Sequence, residues 1–300
     1  MSTLQVVTVC HRRDLWIWRY SQHLIPINLE GSKYTIIVDD NDLSLFKLFT
    51  TSLSWQIIPA STVLDLDFSR SLRMRLKQAD RSLNPGWYWQ QFLKIQFIMQ
   101  QKNSLCVVWD ADTIPLKKVQ FPSDISGFYQ PTTEYHKPYW SLNSSLLGQE
   151  YGKYPGFSFI SQFFGIQSEI VHDMTKYICN YTSYHDWKES CIHYVLNLYS
   201  RHRMSEYELM GAYALKTCTP NDFLPLSLAW TRQGASRTTN IFYPSLEHLL
   251  DKDYVYAAFE RRDIANWTTM KDRLLRLCSL LLSLSMRSLL IDQGDIFSQG

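Results

Sequence analysis

Several features that define other classes of protein are missing from this sequence of 300 residues. No two cysteines form a CxxC pair, so a zinc or redox site of that type is excluded. The net charge is only +2, which gives no basic footprint for nucleic acid. No internal repeat is visible, and 45% hydrophobic with 19% charged residues excludes a disordered chain. These absences leave a folded globular protein.

The sequence also shows neither a secretion signal nor a run long enough to cross a membrane. The opening QVVTVC is short, and charged residues follow it at once. The most leucine-rich segment, LCSLLLSLSM at 277–286, is far shorter than the roughly 20 apolar residues that a spanning helix needs. It lies between Arg276 and Arg287 and either packs on the protein's own core or rests on an anionic membrane surface.

The six scattered cysteines, several of them in apolar runs, predict buried free thiols. We therefore expect a cytoplasmic protein, with peripheral contact to the inner face of the cell membrane if the tail binds lipid. We expect one catalytic domain over residues 1–260 and a helical tail over 261–300.

Three β-rich runs alternate with polar segments near the start of the chain: QVVTVC (5–10), YTIIVDD (34–40) and SWQIIPA (54–60). Their apolar residues are continuous rather than alternating, which indicates strands covered on both faces. The pattern predicts a Rossmann-type α/β fold with a mostly parallel central sheet flanked by helices. Ligands bind such sheets beyond the carboxyl ends of the strands.

A helix is predicted over WYWQQFLKIQFIMQQK, after the Asn84-Pro85-Gly86 turn. Tyr88, Phe92, Ile95 and Met99 form one apolar stripe at helical spacing, which puts Lys94 on the opposite side. Further helices are expected at 70–81, 168–182, 186–202 and 205–217, and a loop region from Pro115 to Gly156.

The main chemical signal is WDADT, in which the hydrophobic run LCVVW ends in Asp110 and Asp112. In an extended backbone, residues two apart point to the same side, so both carboxylates can converge on one hard cation such as Mn²⁺ or Mg²⁺. Such a cation would neutralise the diphosphate of a nucleotide-sugar donor. The alternative is a pair of aspartates that cap the next turn.

Four strings occur in the order and spacing of a bacterial family of GT-A-like glycosyltransferases: GWYWQQFLKIQ (86–96), VVWDADT (107–113), SFISQ (158–162) and SEYEL (205–209). The chain resembles this family from about Val6 to Trp230. The resemblance implies that Asp112 binds the metal and that Asp110 binds the ribose or a metal-bound water. It also implies a nucleotide-sugar donor and a role in surface polysaccharide synthesis, but the identity of the acceptor does not carry over. We expect a saccharide or lipid-linked acceptor, and a lipid-linked one would fit the basic, leucine-rich tail.

The segment SEYEL contains two glutamates with different expected roles. Ser205 and Glu208 have the spacing of a capping box, which gives Glu208 a structural role. Glu206 lies about 200° from Glu208 on that helix, among apolar residues. Glu206 is therefore the candidate general base for the acceptor hydroxyl, its pKa raised by burial; the alternative is a carboxylate favoured by the helix dipole.

Other candidates for nucleotide binding lie at strand ends and on basic helices. Thr8 and Asp39 lie at or near the ends of their strands, although Asp39 could instead begin the next helix. Lys94 and the arginines at 70, 73 and 75 could reach the diphosphate; the alternative for Arg73 and Lys94 is a solvated helix surface.

Two other functions compete with sugar transfer. A phosphatase of the haloacid dehalogenase type also has a strand ending in DxD and would use Asp110 as its nucleophile. That motif usually opens its domain, and the nearest match to the downstream acidic pair is LLDKDY with Asp251 and Asp253. The other alternative is a non-catalytic protein that binds sugar nucleotides.

Overall fold

The computed structural model describes residues 3–198, 203–234 and 252–260. In these residues the core is a seven-stranded sheet with strand order β3-β2-β1-β4-β7-β6-β8. The strands are β1 (Thr3–Cys10), β2 (Lys33–Val38), β3 (Trp55–Pro59), β4 (Ser104–Trp109), β6 (Gly127–Tyr129), β7 (Phe163–Gln167) and β8 (Phe223–Pro225). The strands β1 to β4 are mutually parallel where they pair, and β7 runs antiparallel to both β4 and β6.

Eight α-helices are described, and they cover both faces of the sheet. They are α1 (Leu15–Asn28), α2 (Leu43–Phe49), α3 (Leu66–Ala79), α4 (Pro85–Gln100), α5 (Lys137–Leu147), α6 (Ser168–Thr182), α7 (Trp187–Leu196) and α8 (Glu206–Thr217). Alternate residues of β1 enter different cores, since Val6 packs with α1 and α2 whereas Val7 packs with the other helices. The prediction of an α/β fold with a mostly parallel sheet, buried on both faces, is therefore confirmed.

A second sheet brings the last described residues back to the end of β4. It contains β5 (Thr113–Pro115), β9 (Trp230–Thr231) and β10 (Tyr256–Ala258), in the order β5-β10-β9. The strand β10 pairs antiparallel to β5, immediately after the DxD segment. Residues far apart in the sequence can therefore contribute to one site.

The expectation of a loop over 115–156 was wrong, because this region contains β6 and α5. Helix α5 buries Tyr139, Trp140, Leu142 and Leu146 at helical spacing. Three serines, at 141, 144 and 145, fill much of its other face, and their low helix propensity hid the pattern. Three further boundaries differ: α7 ends at Leu196, α3 begins at Leu66, and SFISQFFGIQ is a strand only over its last five residues.

The predicted helical tail at 261–300, and with it the membrane-contact hypothesis, lies outside the described residues. No helix within the described ranges has the length and apolar character that crossing a membrane requires. The five cysteines described there are all free, and Cys278 lies outside.

The packing of α8 on the loop before β7 gives a test of the fold. A Cβ at Gly211 would lie 2.4 Å from the ring of Phe159, which is fully buried and cannot move aside. We expect Gly211→Ala to lower the free energy of unfolding by about 1–3 kcal/mol, as overpacking does. Gly86→Ala is the control, because its Cβ would meet only one atom, at 3.4 Å. Urea unfolding that gives both variants equal stability would contradict this packing.

Candidate active site

A cavity of about 580 Å³ opens at the carboxyl ends of β1 and β4. Its walls come from the start of α4, the segment after β4, the loop before β7 and the start of α8. Among its described lining residues are six carboxylates and two cations: Asp14, Asp110, Asp112, Glu134, Glu206 and Glu260, with Lys94 and Arg232. The sequence strings that carry the family resemblance therefore meet around one cavity.

The ammonium group of Lys94 lies at the base of this cavity and is bonded to two carboxylates. Its Nζ donates to Asp110 Oδ1 at 2.7 Å and to Glu206 Oε1 at 2.6 Å. It also lies 4.7 Å from the ring centre of Tyr207, whose hydroxyl donates to Asp110 Oδ1 at 2.8 Å. Burial alone lowers the pKa of Lys94, but the two carboxylates outweigh this and raise it. Lys94 is therefore a charged bridge between α4, the end of β4 and α8.

The alternative of a solvated surface is wrong for Lys94, which is 7% exposed. Helix α4 packs against several elements, so its side opposite Tyr88 and Phe92 is also buried. The apolar stripe that the sequence showed is therefore only one of the buried faces of α4. Because Lys94 is already paired, a contact between its ammonium and a diphosphate remains a prediction.

Asp110 and Asp112 line the same cavity, as we expected. The expectation that an extended backbone brings their carboxylates together was wrong. The backbone there is a turn, closed by a bond from Thr113 N–H to the Asp110 carbonyl (3.1 Å), and not an extended strand. Gln162 holds the turn from both sides. Its carbonyl accepts from Asp110 N–H at 2.9 Å, and its side-chain oxygen accepts from Thr113 Oγ1 at 2.9 Å.

Asp112 lies in an excess of negative charge. Burial, and after it the neighbouring charges of Asp110, Asp14 and Glu260, together raise the pKa of its carboxyl to about 8. Oxygen ligands of this kind suit Mn²⁺ or Mg²⁺, so the donor set fits a divalent cation. Within the described residues, no three His, Cys, Asp or Glu are grouped to hold a metal on their own. Such a cation would therefore need further ligands from a substrate or water.

The two glutamates of α8 are both buried but have different surroundings. Glu206 lines the cavity, and its pKa is raised by burial against the opposing effect of Lys94. Its backbone N–H donates to Gln91 Oε1 at 3.1 Å. Glu208 points away from the cavity lining and accepts from Ser158 Oγ, while Ser205 Oγ accepts from Glu208 N–H, as the capping pattern predicted. Burial raises the pKa of Glu208 to about 8.

One wall of the cavity was not predicted. Arg232 pairs with Glu134 at 2.5 Å and with Glu260 at 3.6 Å, and its Nη2 donates to the carbonyl of Ile160 at 3.1 Å. Gln162 Nε2 also donates to Glu260, at 3.4 Å. These residues come from loops and from the ends of short strands, so neither periodicity nor a motif distinguished them.

A second cavity of about 560 Å³ lies beside the first and shares Asp14, Trp87 and Gln90 with it. Asp39 and Arg73 line this cavity and pair at 3.3 Å, and Arg73 lies over the ring of Trp89. Asp39 also accepts from Asn41 N–H and so begins a short 3-10 helix, which was the alternative for this residue. The alternative is therefore confirmed, and a contact between Asp39 and a nucleotide stays a prediction.

Three other candidates are not part of either cavity lining. Thr8 is fully buried within β1, and its hydroxyl has no hydrogen-bond partner. It faces the core that contains Val6, so its position does not support a contact with the nucleotide. Arg70 pairs with Asp67 and Arg75 with Glu189, both away from the cavities.

The fold and the site define an α/β protein with an acidic cavity at the carboxyl edge of its parallel strands. Residues 20–222 match a family described as a family of unknown function, DUF6492. The chain belongs to this family. No curated protein matches the sequence.

Among solved structures, the chain is similar to the apo form of mouse xyloside xylosyltransferase 1 (10% identity, TM-score 0.48, 85% of this chain and 97% of that one). It is similar to the galactosyltransferase LgtC in complex with donor and acceptor sugar analogues (6% identity, TM-score 0.44, 85% of this chain and 86% of that one). It is also similar to the apo structure of the bifunctional glycosyltransferase WbbM (12% identity, TM-score 0.47, 86% of this chain and 46% of that one). The chain therefore spans about half of WbbM. At these TM-scores the likenesses carry no weight for function.

The raised pKa of Glu208 predicts a pH-dependent stability. The carboxyl of Glu208 has a pKa of about 4.5 in the unfolded chain and about 8 in the folded protein. Between pH 4.5 and pH 8, the folded protein therefore binds a proton at Glu208 more tightly than the unfolded chain does. The stabilisation is complete below pH 4.5 and is lost as the pH rises to 8. We expect wild type to lose about 1–4 kcal/mol more unfolding free energy than Glu208→Gln over this range, since one pKa unit corresponds to about 1.4 kcal/mol.

Urea unfolding of both proteins between pH 5 and pH 8.5 measures this difference. For each protein, the free energy of unfolding is plotted against pH. The difference between the two slopes removes the contribution of the other titrating groups, because both proteins share them. Parallel curves would show that Glu208 is ionised in the folded protein.

Proposed function

We propose that this protein is a metal-dependent glycosyltransferase that moves a sugar from a nucleoside-diphosphate donor to a saccharide or lipid-linked acceptor. The observation that carries this proposal is the turn at Asp110 and Asp112, which presents two carboxylates to a cavity at the carboxyl edge of a parallel sheet. The resemblance of the four sequence strings supports the same class, and it also favours a role in surface polysaccharide synthesis.

The metal of this proposal is Mn²⁺ or Mg²⁺, held by Asp112 with Asp110 beside it. Magnesium sites commonly use one or two carboxylates together with the phosphates of a substrate. This matches a described site in which no three such ligands are grouped together. The cation would offset the negative charge that builds up on the leaving diphosphate. We therefore expect metal and donor to bind together, each strengthening the other.

The second cavity is the proposed site of the nucleotide. It joins the first cavity through Asp14, Trp87 and Gln90, so a ligand can extend from one to the other. Asp39 offers a carboxylate to ribose hydroxyls, and Trp89 carries a ring beside Arg73. This leaves the first cavity for the sugar and the acceptor.

Glu206 is the proposed general base. It lines the cavity, and burial raises the pKa of its carboxyl, which brings the group closer to the range useful for proton transfer. Lys94 holds one of its oxygens and one oxygen of Asp110. In this role Lys94 fixes the base relative to the metal-binding turn.

The phosphatase alternative has less support. Its downstream acidic partner was sought at Asp251 and Asp253. Asp253 is bonded to Lys117 at the surface and does not line the cavity of Asp110, and Asp251 lies outside the described residues. A non-catalytic protein that only binds sugar nucleotides would keep every contact of the donor site. Only a measurement of turnover can therefore distinguish it from a glycosyltransferase.

The first test is a thermal-shift panel of nucleoside diphosphates and their sugar conjugates, with and without Mn²⁺. A ligand at 100 times its Kd should stabilise the folded state by about 2.7 kcal/mol. We expect one nucleotide to raise the Tm with Mn²⁺ present and to have little effect without it. Asp112→Asn should remove this metal dependence. Stabilisation that is equal in wild type and variant would contradict the proposed metal site.

The second test compares the two buried glutamates of α8. We expect Glu206→Gln to slow release of the nucleoside diphosphate by about 10²–10⁴-fold, the usual contribution of a general base. Glu208→Gln is the matched control, since it is buried on the same helix but does not line the cavity. Equal rates for wild type and Glu206→Gln, at saturating donor, would exclude Glu206 as the base.

A further inference from the structure

One wall of the first cavity, formed by Trp87, Glu134, His136, Tyr139 and Arg232, has the composition of a saccharide site. Trp87 and Tyr139 lie with ring centres 6.3 Å apart and planes at 21°, and His136 packs edge-on to Tyr139 at 4.5 Å. All three line the cavity, together with the ion pair of Glu134 and Arg232. The wall thus combines aromatic rings with groups that hydrogen-bond.

The cation that the structure describes on this wall is already paired. Arg232 is the one cation of the described cavity lining besides Lys94, and it contacts both Glu134 and Glu260. Its guanidinium also donates to the carbonyl of Ile160. Among the residues that the structure describes, an anionic group on a ligand would find no unpaired cation on this wall, and it would have to displace a carboxylate that is already in place.

The cavity as a whole opposes an anionic ligand as well. Six carboxylates and two cations line it among the described residues. A bound divalent cation would roughly cancel the charge of a donor diphosphate, so the excess of protein carboxylates would remain. At short range and reduced dielectric, each remaining carboxylate would repel a further anion.

We infer that this wall is the acceptor site and that it takes an uncharged saccharide, whose ring faces Trp87 and whose hydroxyl groups bond to Glu134. The inference rests on the proposed function and narrows it, because it rejects acceptors that present a phosphate or a uronic acid to this wall. Rings of this kind offer apolar area at low entropic cost, and a few fixed polar groups then set the orientation of the ligand.

Saturation-transfer NMR on the full chain, without nucleotide or metal, tests the inference directly. The probes are two pools of oligosaccharides matched in length, one neutral and one containing glucuronic and galacturonic acid. We expect signal from the neutral pool and little from the acidic pool. Trp87→Ala should weaken neutral binding roughly tenfold, equal to about 1.4 kcal/mol. Tyr181→Ala is the control, because Tyr181 is a half-exposed aromatic residue outside the cavity.

A second variant tests the charge argument. Glu134→Gln frees part of the guanidinium of Arg232 and keeps the shape of the side chain. We expect it to raise binding of the acidic pool relative to the neutral pool by at least about threefold, a modest part of the strength of one charged hydrogen bond. No change in that ratio, or preference of the wild type for acidic saccharides, would overturn the inference.

The outcomes separate this inference from the proposed function. If a nucleotide binds with Mn²⁺ but neither pool of saccharides binds, the acceptor site is refuted and the donor site stands. If neutral saccharides bind through Trp87 but no nucleotide does, the wall is a saccharide site and sugar transfer is refuted.

Discussion

The buried ammonium group of Lys94 is the contact on which the site depends. It joins three elements that are distant in the sequence: helix α4, the end of β4 and the start of α8. A lysine can be buried with its charge only if partners replace the water it loses, and here two carboxylates and an aromatic ring do so. Removing this charge would leave Asp110 and Glu206 facing each other without compensation, at a cost of about 3–5 kcal/mol by analogy with other broken buried pairs.

One ammonium cannot balance the whole acidic cluster. It serves Asp110 and Glu206, whereas Asp112 lies near Asp14 and Glu260 and has a raised pKa. Among the described residues, Asp110 and Glu206 are thus paired with a cation, whereas Asp112 accepts a hydrogen bond from the hydroxyl of Thr113, at 3.5 Å, and is paired with no cation. The second arrangement is typical of a place where a cation binds with its substrate, because the protein retains an attraction that only an added ligand can satisfy.

The sequence predicted the parts of the fold that follow from local patterns. Continuous apolar runs identified β1 to β4, and the position of the DxD segment at the end of a buried strand was correct. The surroundings of Lys94 could not be predicted in this way, because periodicity shows which face of a helix is apolar but not what packs on the polar face. Arg232 and Glu260 were missed for a different reason: the sheet pairing of β10 with β5 brings Glu260 to the turn, and no local signal records that pairing.

Thr8 illustrates the limit of placing residues by strand ends alone. The prediction relied on its position near the carboxyl end of β1, but successive residues of a strand point to opposite faces. Val9 lines the cavity, whereas Thr8 enters the other core. A shift of one residue along the strand thus decides whether a side chain lines the cavity or is buried in the other core.

Glu206 and Glu208 show how packing assigns different chemistry to one residue type. Both are buried at the start of α8, where the helix dipole favours negative charge equally for each. The difference comes from their neighbours. Glu206 lines the cavity and meets a lysine, which compensates its charge. Glu208 meets a serine hydroxyl, and its second oxygen is buried without a hydrogen-bond partner, so the neutral form is favoured at pH 7. One carboxyl group thereby lines the cavity, where we propose that it acts as the base, and the other bonds α8 to the loop before β7.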